Sequence, residues 1–187
     1  MTDERSPEAP AGLRTALSTP WLTVREADLA SATGGTRRWY YVDHPACALV
    51  LPVTAAGTVL LIRSWRIAVR EWCVEAPAGR CEPGEGPAQA ARRELAEETG
   101  AHGGTLRPLG ETWPSSGSSN ERVHLFLATG VHTGTAHPEP DEILSPYPVP
   151  VHQALSMAAD GGIQDAPTAL ALLLAERRGL LPAGDDR

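Results

Sequence analysis

Lysine is missing from this chain: all 16 basic residues among its 187 are arginine. That excludes Schiff-base catalysis and a phosphate-loop lysine. Aromatic residues are scarce, at 5% with a single phenylalanine, so the tryptophans are expected to serve the core first. Trp65, Trp72 and Trp113 are the candidates for stacking on a base. Only three cysteines occur, Cys47, Cys73 and Cys81. Their odd number and their spacing fit no zinc site and point to reduced thiols in a cytoplasmic protein. Apolar runs stay far below membrane-spanning length. The start, MTDERSPEAPAGL, is acidic and proline-rich and reads as no signal peptide. A net charge of −7 repels a nucleic-acid backbone, so neither nucleic acid nor membrane is an expected partner.

What the chain does have is one dense stretch from Gly79 to Ala101, GRCEPGEGPAQAARRELAEETGA. Gly84 and Gly86 flank Glu85 and let the chain turn without a Cβ penalty. Pro87 suits the first turn of a helix, where its missing N–H is no loss. Residues 88–99 are strong helix formers up to the terminal Thr99, and Gly100 stands where a left-handed cap is expected. On that helix Glu94, Glu97 and Glu98 point to one side, while Ala91, Leu95 and Ala88 face a core. Three neighbouring carboxylates near the negative end of a helix repel one another. A hard divalent cation, Mg²⁺ above all, relieves that repulsion while leaving room for substrate phosphates. Arg93 is placed to bridge to Glu85 and fix the shape of the cluster. A solvated charged helix face is the plain alternative, but it does not call for Gly79, Glu85 and Gly100 at these spacings.

Along the chain, residues 1–18 read as a disordered tail, rich in proline, serine and charge. Residues 19–44 read as an N-terminal β extension, with strands at 21–26 and 37–42 separated by a turn at 31–35. Residues 45–187 form the main domain. Its strands are expected at 46–53, 58–65, 71–76, 106–113 and 122–131, and its later helices at 151–159 and 168–178. Asp165 is the cap and Pro167 the first turn of the second of these. Strands on either side of a central helix, followed by further helices, predict an α/β/α layered domain with a mixed sheet.

The fixed positions Gly79, Glu85, Arg93-Glu94, Glu97-Glu98 and Gly100 resemble the Nudix box. That box is the signature of enzymes that hydrolyse a nucleoside diphosphate linked to another group. Ala101 is small where the family usually has a bulkier aliphatic residue. Flanking segments resemble the ADP-ribose pyrophosphatase-like branch, which cleaves ADP-ribose and related nucleotide sugars. They are Leu60-Leu61-Ile62-Arg63-Ser64-Trp65-Arg66, the run from Glu71 to Gly79, Pro114-Ser115-Ser116-Gly117 with Glu121 and His124, and Gly162-Ile163-Gln164-Asp165-Ala166 with Thr168. Ser116 replaces a family proline. The resemblance covers residues 40–180.

It implies the Nudix α/β/α sandwich with a mixed β-sheet and a short N-terminal β extension. The implied activity is Mg²⁺-dependent hydrolysis of the diphosphate of ADP-ribose or another nucleotide sugar, to nucleoside monophosphate and sugar phosphate. A non-catalytic nucleotide-sugar sensing module on the same fold is the alternative. Mg²⁺, with Mn²⁺ as substitute, would sit on Glu94 and Glu98 with Glu97 alongside and the Ala78 carbonyl completing the shell. Glu85 would either ligate directly or support the shell through Arg93. Arg66 would contact the diphosphate or the terminal ribose, Glu75 would help seat the nucleoside, and Glu121 would meet metal or orient a loop. The general base would come from His137-Pro138-Glu139-Pro140-Asp141-Glu142-Ile143. By position Glu139 is the base and Asp141 or Glu142 a further metal contact, so Glu139, Glu97 and Arg93 form the expected catalytic set. N-terminal strands in this branch pack across a two-fold axis, which implies a homodimer. Residues 145–150 depart from the family, because three prolines that cannot donate to a ladder replace a more regular strand.

Overall fold

The structure is a computed structural model that describes residues 11–31 and 34–182. The chain divides into two units, one of Met1–His44 with Ser115–Glu121, the other of Pro45–Pro114 with Arg122–Arg187.

In the first unit, β1 (Ala11–Ser18), β2 (Thr23–Ala30) and β3 (Thr36–Asp43) form an antiparallel meander. The expected tail therefore ends earlier than residue 18: a strand starts at Ala11, and the rest of that expectation lies outside the described residues. Residues 11–18 form a strand by pairing antiparallel with β2, and Arg14 adds charge pairs across that ladder, to Glu26 at 2.6 Å and to Asp28 at 3.2 Å. The expected turn at 31–35 lies partly outside the described residues. Its described ends close on each other, the Gly34 amide donating to the Ser31 carbonyl at 3.0 Å. Residues 115–121 join this unit through the edge of β3, the Val42 amide donating to the Ser118 carbonyl at 2.8 Å.

The second unit holds β4 (Cys47–Thr54), β5 (Thr58–Arg66), β6 (Glu71–Glu75), β7 (Ala78–Arg80), α1 (Pro87–Thr99), β8 (His102–Thr112), β9 (Val123–His132), β10 (Leu144–Pro150), α2 (Val151–Ala159) and α3 (Ala166–Arg177). The sheet runs β10-β5-β4-β9-β8, with β6 added to β5 and β7 to β4. Only the β4–β9 pair is parallel among these described strands, which makes the sheet mixed, as expected. Side chains alternate along β4. Leu49, Leu51 and Val53 pack with Leu125 and Leu127 under α2 and α3, whereas Ala48 and Val50 pack with Phe126 against Ala90, Ala91 and Leu95 of α1. Both faces are covered by helices, and the unit is an α/β/α sandwich. Ala88, expected in the core, is exposed in the first turn of α1, and Ala90 takes that place.

The prolines of residues 145–150 do not prevent a strand. β10 is an edge strand paired antiparallel with β5, Leu144 opposite Ser64 and Pro150 opposite Thr58. Ladder hydrogen bonds come at every second residue. The Trp65 amide donates to the Ile143 carbonyl at 2.9 Å, and the Val151 amide donates to the Gly57 carbonyl at 3.0 Å. Odd-numbered residues thus face β5 with their N–H and C=O groups. Pro146, Pro148 and Pro150 fall on the even positions, where a missing N–H points away from the sheet. An edge strand tolerates that.

Candidate functional site

The loop from Arg80 to Gly86 and the outer side of α1 converge on Arg93. Its Nε and Nη2 donate to the two oxygens of Glu85 at 3.1 and 3.0 Å, and Nη2 also donates to the Arg80 carbonyl at 2.9 Å. Its Nη1 donates to Glu94 at 2.6 Å and to Glu97 at 3.0 Å. One guanidinium thus fastens the loop carboxylate to the helix carboxylates, the bridge expected from spacing. Glu85 first of all, followed by Glu94 and Glu97, raises the pKa of Arg93, and Arg93 in turn lowers that of Glu85. Gly79 owes its place to this cluster, since a Cβ there would run into the Glu94 carboxyl group.

Glu94 and Glu98 lie on the buried edge of the cluster, only 6% and 3% exposed. Glu98 accepts the Ala78 amide at 2.9 Å. Burial pushes the Glu98 carboxyl up to about 8 despite that bond, with the charges of Glu94 and Glu142 adding to the effect. Burial also raises Glu94; Arg93 opposes the shift, and Glu97 and Glu142 reinforce it. Two buried carboxyl groups with further carboxylates close by hold more negative charge than burial tolerates. Hard oxygen donors in that state match a divalent cation of the Mg²⁺ kind.

Arg66, at the hairpin turn that ends β5, and Glu75, at the far end of β6, form a second pair along one face of the β5–β6 ribbon. Arg66 Nε donates to both oxygens of Glu75, at 2.9 and 3.0 Å, and its Nη2 donates to Oε2 as well. The Glu75 side chain is 8% exposed and that of Arg66 50%, so the buried acid holds the arginine while part of the guanidinium faces solvent. Glu75 above all raises the pKa of Arg66. Across β5 and β6, Ile62 pairs with Glu75 and Trp65 with Trp72. Neighbours along a strand alternate faces, so the two tryptophans, edge to face at 5.7 Å, sit opposite the Arg66–Glu75 pair. Trp113 carries the Arg122 guanidinium over its ring at 5.2 Å.

In the late acidic loop, Glu139, Asp141 and Glu142 are all exposed. The Glu142 carboxylate accepts the Glu139 amide at 2.9 Å, and it is Glu142 whose charge reaches both Glu94 and Glu98. The loop is tied to the end of α1, the His137 amide donating to the Glu97 carbonyl at 2.8 Å. Gly100 caps that end at φ 69°, and a Cβ there would also run into the backbone of Gly134 and Thr135. Glu121 belongs to the first unit, where it lies 3.7 Å from His44. Burial pushes the Cys73 and Cys81 thiols up, which makes neither a ready nucleophile. A cavity of about 370 Å³ bordered by Val53, Thr54, Arg107, Leu127 and Leu180 shares no residue with these clusters.

Layered fold and box geometry together define a Nudix hydrolase. Residues 43–172 match the family described as NUDIX domain, and the chain belongs to that family. It is 32% identical over 164 residues to an ADP-ribose pyrophosphatase of Bacillus subtilis (strain 168), covering 87% of this chain and 88% of that protein. It is 30% identical over 187 residues to a GDP-mannose pyrophosphatase of Klebsiella pneumoniae, covering 91% and 93%. A solved structure described as an ADP compounds hydrolase has a TM-score of 0.78 at 20% identity, covering 95% of this chain and 100% of that one. That likeness shows the fold alone. Enzymes of this family generally work with a divalent metal ion.

Proposed function

We propose that this Nudix hydrolase cleaves the diphosphate of a nucleotide sugar, ADP-ribose first among them, to nucleoside monophosphate and sugar phosphate. The observation that carries the reading is the buried pair Glu94 and Glu98, two acids kept from water beside Arg93, which donates to Glu94. Relatives named for ADP-ribose and GDP-mannose pyrophosphatase activity support the substrate class.

Glu94 and Glu98, with Glu97 alongside, would hold Mg²⁺ or Mn²⁺, with the Ala78 carbonyl as a further donor. When bound, the ion neutralises phosphate oxygens and lowers the pKa of water. Arg93 and Glu85 keep the acids in register. Arg66, held in place by Glu75, would present its solvent-facing edge to the diphosphate. Water attacks one phosphorus, the bridging P–O bond breaks, and the bridging oxygen leaves on the other phosphate. The proton released by the water passes to a carboxylate of the late loop. Glu142 is favoured there over Glu139, because its charge reaches the box acids and the Glu139 amide steadies it. Asp141 and Glu121 keep only the roles implied by resemblance.

We place the enzyme in the cytoplasm, a compartment that keeps its three cysteines as reduced thiols. The three-stranded unit leaves Leu13, Leu17, Trp21 and Tyr40 more than half exposed, which favours a homodimer formed through that unit. The substrate assignment is tested with a panel of ADP-ribose, GDP-mannose, other nucleotide sugars and a nucleoside triphosphate, read by phosphatase-coupled phosphate release. Turnover restricted to the sugar-linked diphosphates supports it; preference for the triphosphate refutes it.

A further inference from the structure

We propose that Thr168 is a positioning residue for the metal-binding acids: its hydroxyl, oriented by Asp165, fixes the backbone of residues 75–79 against which Glu98 and Glu94 are set. The inference rests on the metal-dependent reading given above and adds to it a residue from the opposite helical layer.

Thr168 lies in α3 and is fully buried, at 0% exposure. Its Oγ1 donates to Asp165 Oδ2 at 2.6 Å and accepts the Ala76 amide at 2.9 Å, from a residue 92 positions earlier in the chain. Helix capping does not need that hydroxyl, because Asp165 Oδ2 already accepts the Thr168 amide at 2.9 Å. Valine has the same branched shape and would fill the space without a polar atom. The hydroxyl is therefore accounted for by the bond to Ala76.

Ala76 falls between β6, which ends at Glu75, and β7, which starts at Ala78. The residues around it are tied to the site or to the central sheet. The Glu75 carboxylate is gripped by Arg66. The Pro77 carbonyl accepts the Val50 amide at 2.9 Å. The Ala78 amide donates to Glu98 at 2.9 Å. Gly79 leaves the space that the Glu94 carboxyl group fills. One short stretch of backbone thus sets Glu98, Glu94 and the Arg66–Glu75 pair together, and Thr168 anchors it from α3. Removing the anchor lets the Ala78 amide drift from Glu98, which loosens the ligand without touching it. Outer partners of metal ligands commonly matter by about 10- to 100-fold in affinity or activity.

The test compares Thr168→Val and Thr168→Ser with the wild-type full chain, using Mg²⁺ alone in calorimetric titration and ADP-ribose in steady-state kinetics. Thr168→Val is expected to retain the wild-type circular dichroism, to bind Mg²⁺ roughly 10-fold more weakly, and to lose kcat more than it raises KM. Thr168→Ser keeps the hydroxyl and is expected to restore Mg²⁺ affinity and kcat even where its melting temperature drops. Unchanged Mg²⁺ affinity in a folded Thr168→Val overturns the proposal. Should Thr168→Val not fold, Thr168→Ser decides: weakened Mg²⁺ binding there overturns it, and wild-type binding on a less stable fold supports it. Wild-type protein that binds no Mg²⁺ refutes both readings. Wild-type protein that binds Mg²⁺ but leaves every nucleotide sugar intact refutes the hydrolase reading alone.

Discussion

Glu98 carries the largest consequence for pH. In the metal-free protein its pKa stands near 8 against the usual 4.5. A raised carboxyl is neutral in folded and unfolded chains below pH 4.5, so it then costs the fold nothing. Between 4.5 and 8 the unfolded chain releases a proton that the folded chain retains, and stability falls as pH rises. The melting temperature of chelator-treated protein should drop across this window, and Glu98→Gln should flatten the slope. A slope left unchanged by Glu98→Gln would contradict the burial described above. Gly79→Ala is a second residue-scale case. Its Cβ meets the end of the Glu94 side chain, so the carboxyl group must swing away; weakened Mg²⁺ binding with little loss of stability is expected, read by titration and denaturant melts. The box acids, Arg93 and Gly79 were legible in the sequence because their spacing is fixed along one helix and its loop. The approach of the late loop to α1 was not, since it depends on the bond from the His137 amide to the Glu97 carbonyl. Thr168 was legible as part of a motif but not as an anchor, because nothing local pairs it with Ala76.

Among the elements, the helices were the easiest to read. α2 coincides with the expected 151–159, and α1 begins at the proline that suits its first turn. β10 was the hardest, because three prolines argue against a ladder unless their parity is known. Parity is a tertiary property, set by the Ile143–Trp65 and Val151–Gly57 bonds that frame the strand. The prolines should therefore be replaceable while their neighbours are not. Pro148→Ala is expected to change stability little. Tyr147→Pro removes an N–H that faces β5 and leaves a carbonyl there without its donor, at a cost of about 1–3 kcal/mol. Denaturant melts check both, and equal effects for the two would mean the strand is out of register. Gly100→Ala should disturb α1 and the late loop together, since one glycine serves the left-handed cap and the close approach of Thr135.

At the scale of the whole molecule, the layered domain followed from its alternation of strand and helix patterns. The start of the three-stranded unit did not, because residues 11–18 gain their order from pairing with β2 rather than from local composition. The exposed Trp21 and Tyr40 of that unit lead to a prediction about assembly. Light scattering at micromolar concentration should give twice the chain mass, and Trp21→Glu with Tyr40→Glu should halve it. A monomer in the wild type removes the dimer from the account.

The central claim is that buried acids on α1 hold a divalent ion used to break a diphosphate. It is tested most directly by following ADP-ribose with and without Mg²⁺, using wild type and Glu98→Gln side by side. The account predicts AMP and ribose 5-phosphate only with wild type and Mg²⁺, and a loss on the order of 100-fold or more in Glu98→Gln. Equal turnover by Glu98→Gln, or turnover undiminished by a chelator, would contradict it.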